Sequence, residues 1–367
     1  MAGDAGGSAR ATEPALDLDA LQRWLAHAHP ELLPAGATLS ATRYPGGFSN
    51  LTYRLDGAAA GGAMAYVLRR PPPGVPAGIA HDMVREYGIL SALHPLGIPV
   101  PRPLACCTDP TVLGAPFYLM AVVDGEILRH RVPPSARVDA DPASVVRALS
   151  RTVVEGLARL HAVDVTAGSL ATLGKPAGYA ARQVQGWTRR WDASRTGPVP
   201  AMDRVAAWLA AHLPESSRVA LLHNDFKLDN LVLSPDLTEV RAILDWEMAT
   251  IGDPLMDLGT TLAYWVEAGD DPLFRSLGLG VTALPGAYTR ADVMAAYAEA
   301  TGHPVRHAAF YETFGVFKVA VIAQQIYARY VAGQTSDARF AGLGAVVEAL
   351  ANRALGNCEG TTAQRPQ

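Results

Sequence analysis

Between residues 221 and 259 the sequence reads LLHNDFKLDNLVLSPDLTEVRAILDWEMATIGDPLMDLG. A few types of polar residue stand there between short apolar runs. His223, Asp225 and Asn230 form H-x-D-x-x-x-x-N, and Asp245 follows the apolar run 242–244. Asp225 has the chemistry to orient or deprotonate an attacking hydroxyl. Asn230 and Asp245 offer hard oxygen atoms suited to Mg²⁺, an ion that keeps several waters, takes one or two carboxylates and fills its shell with substrate phosphates. Phosphoryl transfer asks a protein mainly for positioning and charge neutralisation, and this set supplies both. The competing interpretation is an acidic surface hairpin with chance spacing.

These residues need a scaffold. The runs 231–233 and 242–244 are β-prone and are separated by the turn signal Ser234-Pro235-Asp236. That pattern predicts a hairpin holding Asp225, Asn230 and Asp245 at its open end. Upstream, Asp17 or Asp19 caps a helix running through His27, with Leu18, Leu21 and Leu25 on one face. Strands over 42–44 and 51–55 flank Pro45-Gly46-Gly47-Phe48-Ser49-Asn50. Glycines there let backbone N–H groups approach phosphates, and Ser49 and Asn50 can donate side-chain hydrogen bonds; a plain hairpin turn fits as well. A third strand, 65–74, carries Arg69 and Arg70 and is ended by prolines. The helix predicted over 80–97 puts Met83, Tyr87, Leu90 and Leu93 on one face, with Glu86 beside it. Alternating prolines then read as an extended connection, followed by a strand over 115–123.

The second half reads as helical on either side of the hairpin. Val146, Leu149, Val153, Leu157 and Leu160 make the inward face of a helix over 142–164, with His161 a structural residue at its end. Residues 178–196 carry Arg182, Arg189 and Arg190 at helical spacing, either a solvated face or an anion grip. Another short helix is predicted over 203–215. The long helix 310–333 has only Glu312, Lys318 and Arg329 as charges, the pattern of a buried spine.

The stretch resembles the kinase-like phosphotransferases, the aminoglycoside phosphotransferase and choline kinase superfamily. HNDFKLDNL looks like their catalytic loop and ILDWE like their metal-binding Asp segment. DWEMATIGDPLMDLG is most similar to the subgroup related to the kinase-like domain of acyl-CoA dehydrogenase fusion proteins. The resemblance implies an α+β, protein-kinase-like fold of two lobes, a small antiparallel-sheet lobe and a larger, mostly helical one. It implies ATP and Mg²⁺ as cofactors, with Asp225 catalytic and Asn230 and Asp245 holding the metal. Gly46, Gly47, Ser49 and Asn50 become the nucleotide flap. Arg69, or else Arg70, stands where the family has a phosphate-contacting Lys, and Glu86 is its helix partner; Arg keeps the charge but grips phosphate with a planar fork. Adenine would meet the backbone near Ala121 and Val123, with Met120 behind it unless Met120 is simply core. His223 supports the catalytic loop, and Asp257, or else Asp253, braces it.

Residues 1–14 and 356–367 read as disordered, 15–123 as the nucleotide-binding lobe and 124–355 as the catalytic and acceptor-binding lobe. The chain has 367 residues, 49% hydrophobic and 18% charged, with net charge −4. That is enough for a substantial core and gives no basic field for nucleic acid. The three cysteines, Cys106, Cys107 and Cys358, have no metal spacing and make a poor disulfide framework, which suits a cytoplasmic protein. The N-terminus lacks the pattern of a signal peptide, and no apolar run is long enough to span a membrane. The expected partner is a small molecule bearing a hydroxyl: a hydroxyacyl-CoA or hydroxy acid, with an aminoglycoside or choline-like acceptor as the alternative. A non-catalytic nucleotide-binding scaffold is the reading from another class; a missing Asp225 or metal ligand would have signalled it, and all are present.

Overall fold

The computed structural model describes residues 16–44, 50–59, 62–72, 81–129, 131–137, 141–215, 218–276, 280–335 and 337–363. The chain forms two compact units, residues 1–87 with 102–122, and residues 88–101 with 123–367. Residues 88–101 thus group with the second unit although they precede the last strands of the first.

The first unit begins with helix α1 (Leu18–Ala28), whose N-terminus is capped by Asp17 accepting from the Ala20 amide. Strands β1 (Thr38–Arg43), β2 (Leu51–Ala59) and β3 (Gly62–Arg70) follow, then the start of helix α2 (Met83–Leu93), whose residues from Gly88 on group with the second unit, then strand β4 (Pro103–Cys107), the short helix α3 (Pro110–Leu113) and strand β5 (Phe117–Ala121). The strands make one antiparallel sheet in the order β1-β2-β3-β5-β4. Leu51, Tyr53 and Leu55 alternate inward along β2, the period of a half-buried strand. They pack with Leu21 and Leu25 of α1 and with Phe117 and Leu119 of β5. Strand β4 corrects the expected extended connection: Pro103 is its first residue, and β4 lies at the sheet edge, where a missing N–H is tolerated.

The second unit contains helices α4 (Pro142–His161), α5 (Tyr179–Ser194) and α6 (Pro200–Ala211) and strand β6 (Ala220–Leu222). Strands β7 (Leu231–Leu233), β8 (Val240–Ile243) and β9 (Thr250–Gly252) come next, then helices α7 (Pro254–Tyr264), α8 (Pro272–Ser276), α9 (Arg290–Thr301), α10 (Ala308–Val331) and α11 (Leu343–Ala363). β7 and β8 form the predicted hairpin, and β6 pairs with β9. Strands of three residues are too short to leave a periodic signal, so the β6–β9 pair was not legible. The expected tail from residue 356 is corrected as far as residue 363. α11 runs through Gly356, Cys358 is buried on it, and Glu359 pairs with Arg204 of α6. Among the described residues no helix is long and apolar enough to cross a membrane.

α10 is the spine of this unit, buried from Phe310 to Ala323 on nearly every side. Two glycines bring its backbone against α7. A Cβ on Gly315 would stand 1.9 Å from the Gly259 carbonyl oxygen, and one on Gly259 would stand 2.1 Å from that of Tyr311. No side-chain rearrangement relieves a clash with backbone. Gly315→Ala is therefore expected to destabilise the protein by about 3 kcal/mol, read as a lower urea midpoint; an unchanged midpoint would contradict the close approach.

Candidate active site

The catalytic stretch leaves β6 at Leu222 and enters β7 at Leu231. Its shape is fixed from below by Asp257, fully buried in the first turn of α7. One carboxylate oxygen accepts from the His223 amide at 2.6 Å and the other from the Asn224 amide at 2.8 Å. His161, at the end of α4, places Nε2 3.2 Å from the same carboxylate and Nδ1 2.6 Å from the Tyr297 hydroxyl of α9. Burial alone pushes the Asp257 carboxyl up, but the hydrogen bond and charge of His161, with His223, outweigh it and hold its pKa below the usual range. Asp253 serves elsewhere: it caps α7 through the Leu255 amide and accepts from the Tyr311 hydroxyl at 2.7 Å.

Asn224 adopts a left-handed backbone, φ 64°, a conformation that costs a non-glycine residue about 1–3 kcal/mol. Its polar groups are all engaged. Its Oδ1 accepts from Tyr179, its Nδ2 donates to the Met248 carbonyl, and its own carbonyl accepts from Lys318. Thr261 of α7 donates to the Phe226 carbonyl at 3.0 Å. The loop is thus held from α5, α7 and α10 before any ligand arrives.

Asp225 projects from this clamped backbone. Its amide donates to His223 Nδ1 at 3.3 Å, while His223 Nε2 donates to the Leu244 carbonyl at 2.9 Å. The Asp225 Oδ2 lies 2.9 Å from Asn230 Nδ2 and 3.0 Å from Lys227 Nζ. Lys227 also stands over the Tyr264 ring, 4.7 Å from its centroid. Burial works against the Lys227 charge, but Tyr264, Asp225 and Asp229 overcome it and keep the pKa above that of an ordinary lysine.

The residues that could hold a metal sit beside this carboxylate. Asn230 uses Nδ2 on both the carbonyl and the carboxylate of Asp225, which leaves its Oδ1 as the ligand atom. The Leu244 amide donates to the Asn230 carbonyl at 2.8 Å, so Asp245 leaves the hairpin next to Asn230. A left-handed backbone at Asp245, φ 65°, turns the chain out of β8 at that point. Among the described residues no group of three or more His, Cys, Asp or Glu forms a metal cage. One amide oxygen and one carboxylate fit a hard ion that retains water and phosphate ligands.

In the first unit Arg69 and Glu86 meet: Arg69 Nε lies 3.1 Å from Glu86 Oε2, and the Glu86 side chain is 2% exposed. Arg70 turns instead toward the Pro71 carbonyl, and burial lowers its pKa. Asn50 is buried with its Oδ1 3.0 Å from His81 Nδ1, while Gly46, Gly47 and Ser49 lie outside the described residues. Met120 is buried in β5 opposite Val67. The Ala121 amide donates to the Arg102 carbonyl at 2.8 Å and is not available to a base; Val123 begins the return of the chain into the second unit.

Sequence reasoning assigned no role to Lys227, Tyr264 or Lys318 and read His161 only as structural. The signals were a lysine two positions after Asp225 and a lone lysine in an apolar helix. Two of the α5 arginines are engaged locally. Arg182 donates to the carbonyls of Lys175 and Ala177, and Arg190 stacks on Trp187 at 4.5 Å, so both serve local packing.

A sheet unit of this order and a helical unit carrying a braced H-x-D-x-x-x-x-N loop ahead of an Asp-bearing hairpin define a kinase-like phosphotransferase. The phosphotransferase enzyme family model, APH, matches residues 40–294, and the chain belongs to that family. The chain is 36% identical over 93% of its length to mouse acyl-CoA dehydrogenase family member 10, and 35% identical over 97% to chicken acyl-CoA dehydrogenase family member 11. It spans only 31% and 45% of those two proteins. A crystal structure from Ralstonia eutropha, assigned as an aminoglycoside phosphotransferase, superposes with a TM-score of 0.77 at 30% identity, covering 94% of this chain and 99% of that one.

Proposed function

We propose that the protein transfers the γ-phosphoryl group of ATP to a hydroxyl of a small molecule. The observation that carries this is the Asp225 carboxylate, presented on a loop whose backbone is fixed by Asp257 and bonded to Asn230 and Lys227. The acceptor oxygen forms a bond to the γ-phosphorus, the bond from that phosphorus to the β–γ bridging oxygen breaks, and ADP leaves. The hydroxyl proton passes to Asp225. Mg²⁺ held by Asn230 and Asp245 would neutralise phosphate charge. Arg69, oriented by Glu86, grips phosphate, with Gly46, Gly47, Ser49 and Asn50 contributing from the flap. Adenine bonds the backbone at Val123, with Ala121 and Met120 alongside.

For the acceptor we favour a hydroxylated acyl-CoA or a related hydroxy acid. Similarity to acyl-CoA dehydrogenase family members supports it. The aminoglycoside alternative needs free carboxylates facing a polycation, and three of the acids between residues 262 and 330 already face arginines. Arg290 pairs with Asp270 at 2.8 Å and Glu267 at 3.2 Å, and Glu312 faces Arg290 and Arg353. A choline-like cation would need an open aromatic cage. Trp265, Tyr297 and Tyr311 are buried and bonded to Tyr288, His161 and Asp253.

The test is ADP release from Mg·ATP against 3- and 4-hydroxyacyl-CoAs, free hydroxy acids, aminoglycosides and choline. Stimulation of at least about 10-fold by the acyl-CoA or hydroxy-acid arm, abolished by chelating the metal, is expected. Stimulation only by an aminoglycoside or choline would replace the acceptor. Absence of Mg·ATP binding by calorimetry would overturn the phosphotransfer itself.

A further inference from the structure

Lys318 lies in the middle of the apolar spine α10 and is 2% exposed. A lysine there is unusual, since an ammonium is seldom buried unless it is well bonded. Its Nζ donates to the Asn224 carbonyl at 2.5 Å and lies 3.5 Å from Thr260 Oγ1. On its other side it faces the Trp187 ring, 5.6 Å from the centroid. The close α7–α10 approach through Gly259 and Gly315 brings it there, one turn beyond Gly315. The carbonyl it binds belongs to the peptide that joins left-handed Asn224 to Asp225. The plane of that peptide sets the direction in which the Asp225 side chain leaves the backbone.

We propose that Lys318 is a positioning residue for Asp225: its buried ammonium pins the Asn224–Asp225 peptide in the strained conformation that presents the Asp225 carboxylate. The role rests on the reading of Asp225 as the group that receives the acceptor proton. A charge-assisted hydrogen bond is roughly twice as strong as a neutral one, so the hold depends on the lysine being protonated. Burial pushes the Lys318 pKa down to about 8; Asp225 of the loop and Asp257 of α7 work against that, and Lys227 of the loop and Arg190 of α5 add to it. Lys318 touches neither Asn230 nor Asp245 among its bonded partners.

Two pH trends then run in opposite directions. The folded-state pKa is depressed below that of an unfolded lysine, so between about pH 8 and pH 10 the unfolded chain binds more protons and this group makes stability rise with pH. Over the same range the hold on the loop weakens. A lysine with only a structural role would let activity and stability move together.

The experiment compares the wild type with Lys318→Met, a change close in volume that removes the charge. Hydrogen exchange of the 221–231 peptide, corrected for intrinsic rates, is read at pH 7 and pH 9, beside the urea midpoint and kcat for ADP release. The wild type should lose loop protection and kcat on going to pH 9 while its midpoint does not fall. Lys318→Met should show a kcat about 10- to 100-fold lower at pH 7, a loop exchanging at least about 10-fold faster, no pH step, and a midpoint equal to or above wild type. Loop protection and kcat unchanged in the variant would overturn the proposal. So would faster exchange spread equally over α7 and α10 with a lowered midpoint. If the wild type releases no ADP with any acceptor, phosphotransfer fails, and loop exchange and midpoint still decide the placement of Lys318.

Discussion

Replacing Asp225 with asparagine is expected to lower acceptor-dependent ADP release by about 10³-fold, the scale of a lost general base, while leaving the fold and Mg·ADP affinity in place. The substitution is nearly isosteric. With its amide oxygen turned toward Asn230 Nδ2 and Lys227 Nζ, the variant keeps an acceptor at the positions now 2.9 and 3.0 Å away. The backbone bonds that shape the loop do not involve the Asp225 side chain at all; they run from the amides of His223 and Asn224 to Asp257. What disappears is the negative charge that receives a proton and that offsets Lys227. Calorimetry should give a Mg·ADP dissociation constant within about threefold of wild type, because an isosteric change away from the nucleotide removes no binding contact. Turnover near wild type in this variant would remove Asp225 from the chemistry.

The chemical residues were legible because they are close in sequence. Asp225, Asn230 and Asp245 all lie in one loop and one hairpin, and a polar group repeated at the ends of short apolar runs is a local pattern. The brace beneath them is not local. His161 meets Asp257 across 96 residues and Tyr297 across 136, and Lys318 meets Asn224 across 94. Each looks alone like an ordinary helix residue, and only packing of α4, α7, α9 and α10 gives it a partner. Gly259 and Gly315 carry no signature either, since the need for a missing Cβ arises from a neighbouring helix. Strand β4 was hidden by Pro103 and the prolines before it, and the end of α11 by a polar composition that says nothing of the buried Cys358. The helices with an apolar stripe, α4 above all, were readable because burial on one side imposes the 3.6-residue period.

The second large effect is expected at Asp257. The carboxylate meets three donors, the amides of His223 and Asn224 and the His161 ring. Asparagine has one acceptor oxygen, so Asp257→Asn turns an NH₂ group toward at least one buried N–H and strands it. Breaking a buried pair in this way costs about 3–5 kcal/mol, a large fraction of the roughly 5–15 kcal/mol that holds a domain folded. Urea denaturation at pH 7 reads it directly. The acid limb gives an independent check. The folded carboxyl titrates below its ordinary range, so the stabilisation is complete above the unfolded pKa and is lost as pH falls through the lower folded value. Wild type should therefore retain this contribution at pH 5 and lose it only below about pH 4, whereas the variant has none to lose. Asp253→Asn provides the contrast: it keeps a competent helix cap and gives up the bond from Tyr311, a loss of about 1–2 kcal/mol. Equal effects at the two positions would show that the loop is not braced through Asp257, and would leave the left-handed Asn224 without the anchor that makes its conformation affordable.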